Sequence, residues 1–295
     1  MSKVYKAATP AVPALPEGVE ECWIEMQSAR MRYLRAGSGP ALILLHGLMG
    51  YSFSWRYTMP ALAPYRTVYA PDLLGAGFSD RPLVDHSMRA TALRVLNFVE
   101  RQKISSFDLL GTSRGGAVAM CAAAESLAGA KARLQKLILV APVNPYSPHG
   151  KRLAPFMGTA FGAAGFRLVT SRVPSLFPYC HARLYGERAK IPAGSLEGYQ
   201  APLSVPGLFE HALSIVRTWT ADLRELEVIL PKIRNVPTLL IWGSKDPAVY
   251  SSSIEPLAQH FSNVEKIVFP GIGHLPYEEC PHDFNRALIQ FLTKN

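Results

Sequence analysis

The sequence predicts an α/β protein: a mostly parallel, doubly covered sheet of eight strands with an inserted helical cap. Three observations predict this class. Short apolar runs suited to buried strands recur along the 295 residues, and helical patterns lie between several of them. A Gly-x-Ser-x-Gly run at 111–115 joins one such strand to a segment of small, helix-tolerant residues. With 48% hydrophobic and 18% charged residues, the chain is typical of a globular protein rather than a disordered one.

Eight apolar runs are interpreted as strands, the first two as an opening hairpin: residues 22–25, 31–35, 41–45, 67–70, 107–110, 136–140, 238–242 and 265–269. Apolar residues at helical spacing predict helices at 88–99, 254–261 and 283–292. Strands that alternate with helices favour parallel pairing, with helices on both faces of the sheet. Ligands of such sheets bind at the carboxyl ends of the strands.

The alternation breaks after residue 142, which indicates an insertion. Up to about residue 235 the chain is rich in Pro, Gly and aromatic residues. A structureless loop of that length would be unusual, so we expect several short helices. We divide the chain into a flexible lead-in (1–19), an α/β core (20–142 and 219–295) and a helical cap (143–218). The lead-in has no apolar stretch of the kind that a signal peptide contains.

Ser113, at the centre of the Gly-x-Ser-x-Gly run, is the candidate nucleophile. The run follows a predicted strand and opens a predicted helix, which is typical of a nucleophile elbow. Gly111 and Gly115 allow the neighbouring backbone to approach where a Cβ would clash. The backbone amide of Arg114 and the start of the helix would then lie beside a developing oxyanion.

A serine hydroxyl needs a base, and the base works best when a third group orients it. Asp246 and His274 each follow a predicted strand by a few residues, so both are expected at the same edge of the sheet as Ser113. We predict Ser113 as nucleophile, His274 as general base and acid, and Asp246 as the orienting carboxylate. Asn144, just past another predicted strand, is an alternative position for the acid, but its side chain does not ionise.

Four runs resemble motifs of the α/β-hydrolase superfamily: 41–50 with its His-Gly pair, 69–79 with Asp-x-x-Gly-x-Gly-x-Ser, 242–246 and 273–278. The likeness extends from about residue 20 to the C-terminus, and the order Ser, Asp, His is the one this superfamily uses. The resemblance implies that the backbone amides of Leu48 and Arg114 form the oxyanion hole. It also implies that His46 and Asp72 hold their loops by side-chain hydrogen bonds instead of contacting substrate.

The resemblance implies a serine hydrolase that cleaves a small to medium carboxylic ester through an acyl-serine intermediate. Haloalkane dehalogenases and epoxide hydrolases of this fold carry Asp at the elbow, so Ser113 argues against both. Meta-cleavage-product hydrolases usually have Asn and Trp where this chain has Thr112 and Leu275, although Arg183 or Arg188 could bind a ketoacid. Carbon–carbon bond hydrolysis therefore stays an alternative. A receptor or binding protein of low turnover, a lyase or acyltransferase, and a perhydrolase side activity are further alternatives.

The net charge of +9 comes from dispersed basic residues without a run of five or more, so we expect no nucleic-acid partner. Residues 145–215 carry seven basic and three acidic side chains, an excess that could favour anionic substrates at the entrance. Four scattered cysteines, without CxxC or metal spacing, indicate reduced thiols of a cytoplasmic protein. We expect no cofactor, no metal and no membrane span, with a small ester or related acyl compound as partner.

Overall fold

The computed structural model of the chain describes residues 12–26, 29–147, 159 and 173–294. Its centre is one sheet of eight strands: β1 (Val19–Met26), β2 (Ala29–Ala36), β3 (Ala41–Leu45), β4 (Thr67–Pro71), β5 (Ser106–Thr112), β6 (Arg133–Val140), β7 (Thr238–Gly243) and β8 (Val264–Phe269). Their spatial order is β1-β2-β4-β3-β5-β6-β7-β8. The two β2 pairings, with β1 and with β4, are antiparallel, and the other neighbours are parallel. The predicted mostly parallel, eight-stranded sheet is confirmed.

The described α-helices are α1 (Thr58–Leu62), α2 (Met88–Arg101), α3 (Arg114–Leu127), α4 (Val173–Arg183), α5 (Ser195–Gln200), α6 (Leu208–Ile229), α7 (Ile254–Ala258), α8 (Pro276–Glu279) and α9 (Pro281–Thr293). Helices α4 to α6 lie between β6 and β7, and we call residues 173–229 the insertion. The helix predicted at 254–261 is too long, because the chain leaves α7 at Ala258 to turn into β8.

The burial of strand β3 shows that the sheet is covered on both faces. All five of its residues are buried. Ile43 and Leu45 pack into a core layer beneath α2 and α3, whereas Leu42 and Leu44 pack into the opposite layer with α1 and α9. Because successive side chains of a strand point to opposite faces, a strand buried on both sides is a continuous apolar run.

The division into core and cap remains a prediction. Residues 148–158 and 160–172, which form a large part of the predicted cap, lie outside the described residues, as does 1–11 of the predicted lead-in. Helix α6 runs through position 218, where we drew the boundary. Leu15, also in the predicted lead-in, packs against the core layer that contains α1 and α9.

Candidate active site

Ser113 is the single residue between β5 and α3, and its backbone is strained. Its φ of 52° and ψ of −123° lie in a region that costs a non-glycine residue about 1–3 kcal/mol. Two hydrogen bonds hold it there: its N–H donates to the carbonyl of Val140 and its carbonyl accepts from the N–H of Val143, both at 2.9 Å. A residue held in this conformation presents its side chain at the tip of the turn, which is the geometry of a nucleophile elbow.

The glycines around Ser113 are required by close backbone packing. A Cβ on Gly115 would lie 2.3 Å from the carbonyl oxygen of His46, and a Cβ on Gly111 would lie 2.3 Å from that of Gly115. Real Cβ atoms do not approach backbone oxygens so closely. The predicted reason for both glycines, that a side chain would clash with neighbouring backbone, is therefore confirmed.

Asp246 and His274 are brought together, as predicted from their positions after two strands. His274 Nδ1 lies 2.7 Å from Asp246 Oδ2, and both residues are buried. The other carboxylate oxygen of Asp246 accepts the backbone N–H groups of Ala248 (2.8 Å) and Val249 (2.9 Å), which fix the carboxylate in the turn after β7. Because a carboxylate accepts hydrogen bonds, Nδ1 carries the proton, and Nε2 of His274 is left as an acceptor.

Asn144, the alternative position for the acid, has a structural role. Its amide group donates to the carbonyl of Pro142 (2.9 Å) and to the hydroxyl of Ser253 (3.1 Å). Its Oδ1 accepts the N–H groups of Tyr146 (2.9 Å) and Ser147 (3.1 Å). These four bonds fix the turn after β6.

The loop that carries Leu48 lies directly against Ser113. A Cβ on Gly47 would be 3.0 Å from the Cβ of Ser113, and Met49 adopts a positive φ of 61° at the turn. Neither the amide of Leu48 nor that of Arg114 donates a hydrogen bond to any of the described residues. The Arg114 amide opens α3, where the first N–H groups of a helix have no partner within the helix. As far as the described residues go, both amides therefore keep an N–H without an acceptor near Ser113.

His46 holds its loop by side-chain hydrogen bonds, as the resemblance implies. Its Nδ1–H donates to the carbonyl of Gly47 (2.9 Å), and its Nε2 accepts the N–H of Leu73 (3.0 Å). Burial lowers the pKa of His46. A neutral ring whose two nitrogens are both used has no capacity left for proton transfer.

Asp72 is the second residue expected to hold a loop, and this role is confirmed. Its Oδ1 accepts the N–H of Ser52 (2.8 Å), and its Oδ2 accepts the N–H of Phe78 (3.0 Å). The buried guanidinium of Arg32 donates to Oδ2 at 3.1 Å. Asp72 thus joins the turn after β4 to the segment after β3.

Ser113 and His274 face one cavity of about 730 Å³ between the sheet edge and the insertion. Its lining is mostly apolar, and the insertion supplies much of it: Leu176, Phe177, Cys180, Leu184, Leu203, Val205, Pro206, Leu208, Ala212 and Val216. The core contributes Leu48, Met49, Leu275 and Tyr277. Among the described lining residues, Glu210 carries the one carboxylate, the histidines are His181 and His274, and no Lys or Arg is present.

A buried polar cluster around Glu278 was not predicted. Arg56 donates to both carboxylate oxygens of Glu278, at 2.7 and 2.8 Å. Three residues of the insertion add hydroxyl donors: Tyr185 at 2.6 Å, Ser195 at 2.8 Å, and Tyr199. Burial alone would raise the pKa of Glu278, but the Arg56 guanidinium and the tyrosine hydroxyls outweigh it, so its pKa is lowered. These hydrogen bonds connect the insertion to the core.

Arg81 makes a second connection that sequence reasoning missed. Its guanidinium donates to five backbone carbonyls, those of Gly75, Gly77, Pro202, Val205 and Pro206. Two of these acceptors are in the core and three are in the insertion, next to residues that line the cavity. Burial lowers the pKa of Arg81 to about 10.

Fold and site define an α/β protein with a serine at a strand–helix elbow, beside a hydrogen-bonded histidine–aspartate pair and an apolar cavity. The family model for the alpha/beta hydrolase fold matches residues 40–281, so the chain belongs to this family. An uncharacterised protein of Mycobacterium tuberculosis is 28% identical over 89% of this chain and 78% of its own length. Haloalkane dehalogenase 2 of the same species is 26% identical over 92% of this chain and 94% of its own.

Among solved structures, a membrane phospholipase A is similar, with a TM-score of 0.75 and 25% identity over 93% of this chain and 86% of that one. The family and its relatives make the chain a hydrolase of this fold. None of the described helices is both long and apolar enough to cross a membrane. Within the same described ranges, no group of three or more His, Cys, Asp or Glu side chains could hold a metal ion.

Proposed function

We propose that this protein is a serine hydrolase that cleaves small to medium carboxylic esters through an acyl-serine intermediate. The observation that carries the proposal is the strained elbow: Ser113 faces a cavity that it shares with His274, and His274 is hydrogen-bonded to a buried Asp246. These are the nucleophile, base and orienting acid that acyl transfer requires.

In the proposed reaction, Ser113 Oγ attacks the ester carbonyl while Nε2 of His274 takes the hydroxyl proton. Asp246 keeps the proton of the imidazole on Nδ1 and stabilises the imidazolium that forms. The Leu48 and Arg114 amides donate to the oxyanion of the tetrahedral intermediate. His274 then gives its proton to the leaving alcohol, which leaves an acyl-serine. Water, activated by the same imidazole, releases the carboxylic acid and restores the serine.

The cavity supports an uncharged, largely apolar substrate. Its described lining is apolar apart from a few hydroxyls, two histidines and one carboxylate, Glu210. Of the basic side chains at 145–215, the described Arg183 and Arg188 are exposed, and Arg183 donates to Tyr179. Lys151, Arg152, Arg167 and Arg172 lie outside the described residues. An apolar site removes an acyl chain from water and strengthens the electrostatic interactions of the reaction.

Carbon–carbon bond hydrolysis of a ketoacid is the second candidate, and the same residues weigh against it. Such a substrate carries a carboxylate, yet no described Lys or Arg lines the cavity. Dehalogenation, the activity named for one relative, is disfavoured by the chemistry of the elbow, since a serine alkoxide would form an ether that water cannot readily hydrolyse. An ester of a carboxylic acid forms an acyl-serine that water does hydrolyse.

The test is initial-rate hydrolysis of p-nitrophenyl esters from acetate to decanoate. We expect turnover with a chain-length optimum. Ser113→Ala should lower kcat on the order of 10⁶-fold, as removal of the nucleophile does in serine proteases. Asp246→Asn should lower it about 10⁴-fold, because the histidine loses the acceptor that fixes its tautomer. Both variants keep the glycines of the elbow and should remain folded.

Ser204→Ala is the matched control, because Ser204 lines the same cavity but lies on the insertion. It should retain the wild-type kcat within about threefold. Equal rates for wild type and Ser113→Ala on every ester would refute the proposal, and ketoacids with a cleavable carbon–carbon bond would then be assayed. Loss of activity in Ser113→Ala with full activity in Asp246→Asn would assign the orienting role to another group.

A further inference from the structure

The loop that carries His274, here called the histidine loop (residues 270–275), is held on one side by the end of β7. The N–H of Lys245 donates to the carbonyl of Ile272 at 2.8 Å. A Cβ on Gly243 would lie 2.1 Å from the carbonyl oxygen of Gly273. The backbone after β7 therefore packs directly on the backbone of the histidine loop, so the segment that carries Asp246 supports His274 on this side.

The insertion contacts the histidine loop on the side opposite β7. The backbone N–H of His274 itself donates to the carbonyl of Leu184 at 2.7 Å. A Cβ on Gly273 would lie 2.3 Å from that same oxygen, and a Cβ on Gly186 would lie 2.2 Å from the carbonyl oxygen of Gly271. The position of the base is thus defined by two segments, and one of them belongs to the insertion.

The single carboxylate of Glu279 links the histidine loop to the insertion. Its Oε1 accepts the N–H of Gly273 at 2.7 Å, and its Oε2 accepts the N–H of Gly186 at 2.9 Å. The side chain is buried, and it does not line the cavity. Burial raises the pKa of Glu279, and the two backbone donors oppose that rise. Glu279 therefore bonds to the residue immediately before the base and to the insertion at once.

We propose that Glu279 is a positioning residue for His274, and that the insertion is thereby part of the machinery that orients the base. This inference rests on the proposed function. Glu279 acts through the backbone of Gly273 and does not touch substrate. Glutamine at this position offers one carbonyl oxygen and one NH₂ group, so it can accept from only one of the two amides. The histidine loop would lose either its own bond or the bond to the insertion.

The test compares Glu279→Gln with wild type by two measurements at a temperature well below unfolding. Displacement of a catalytic group by about 1 Å can lower a rate roughly 100-fold, so we expect kcat to fall about 10- to 100-fold, with KM within twofold. The second measurement is the low-field proton resonance of His274 Nδ1–H, which reports its hydrogen bond to Asp246 without any turnover. We expect it to shift or broaden. Glu255→Gln, an exposed carboxylate paired with Lys266, is the control and should change neither.

A lower melting temperature with unchanged kcat and an unchanged resonance would make Glu279 merely structural and would overturn the inference. If the wild type shows no Ser113-dependent hydrolysis, the proposed function fails, yet the resonance still decides whether Glu279 positions His274. Should Glu279→Gln not fold, the same two measurements are made on Glu279→Asp. Its shorter carboxylate can reach one of the two amides, and an unchanged resonance and kcat there would equally overturn the inference.

Discussion

The buried pair of Glu278 and Arg56 gives the sharpest stability prediction. The Glu278 side chain is fully buried and that of Arg56 is 12% exposed. Replacing Glu278 by Gln leaves the guanidinium buried without a counter-charge, which typically costs about 3–5 kcal/mol. Unfolding entropy of about 2.1 cal/mol/K per residue gives roughly 0.6 kcal/mol/K for this chain. We therefore expect the melting temperature of Glu278→Gln to fall by about 5–8 °C at pH 7.

Differential scanning calorimetry of wild type, Glu278→Gln, Arg56→Met and the double variant measures this effect. The double variant also removes the unpaired cation, so its loss of stability should be smaller than the two single losses added together. A melting temperature of Glu278→Gln within about 2 °C of the wild type would refute the reasoning. Strict additivity in the double variant would also refute it, because the two side chains would then not interact.

The difference in melting temperature between wild type and Glu278→Gln should depend on pH, because the pKa of Glu278 is lowered. A carboxyl group whose pKa is lower in the folded than in the unfolded state stabilises the fold above its unfolded pKa, about 4.3. That contribution is lost as the pH falls through the folded pKa. The gap in melting temperature between wild type and Glu278→Gln should therefore be full at pH 6 and close steadily below about pH 4.5. A gap that widens in acid would contradict the assignment.

Two further predictions concern the elbow and the second connection to the insertion. Arg81→Met removes the hydrogen-bond donors to five backbone carbonyls. The residues of the insertion that line the cavity should then be held less rigidly. The ratio of kcat/KM for decanoate to that for butyrate should change about tenfold in Arg81→Met. The same ratio should stay constant in the exposed control Arg101→Met. An unchanged ratio in Arg81→Met would contradict the inference that Arg81 holds this part of the cavity. Gly115→Ala should lower soluble yield or reduce the melting temperature by more than about 5 °C, since its Cβ would meet the carbonyl of His46. The exposed Leu127→Ala on the same helix is its control, and a wild-type melting curve for Gly115→Ala would show that the helix can shift.

The strands were predictable because burial on both faces leaves a continuous apolar run, as in β3 and β7, which are buried throughout. The site residues were predictable for a related reason. Ser113 and Asp246 each follow such a run closely, and His274 follows β8, an edge strand that is only partly buried. Parallel strands bring their carboxyl ends to one edge. Local pattern and topology together were enough to bring these three positions near one another.

The connections to the insertion were not predictable in the same way. Glu278 lies in a run that was singled out for its histidine, but Arg56 and Tyr199 carry no local pattern that connects them to it. Among the described residues, Arg81 donates hydrogen bonds to backbone carbonyls. Every residue type has a backbone carbonyl, so the sequence gives no sign of which residue will accept. These contacts of Glu278 and Arg81 with the insertion join residues 79 to 125 positions apart and are made partly by backbone, so they leave no signal in sequence spacing.

The proposed nucleophile, Ser113, and the proposed base, His274, are held by different parts of the molecule. Among the described residues, Ser113 is held by hydrogen bonds to Val140 and Val143 and by the close packing of Gly115 on His46, none of which belongs to residues 173–229. The backbone of His274 is bonded to the insertion through Leu184. We therefore expect a displacement of the insertion to act on His274 through this bond, and on the cavity that the insertion lines. In the proposed mechanism, substitutions in the insertion would then alter proton transfer by His274 and the size of the accepted substrate, while the hydrogen bonds between Ser113 and Val140 and Val143 remain.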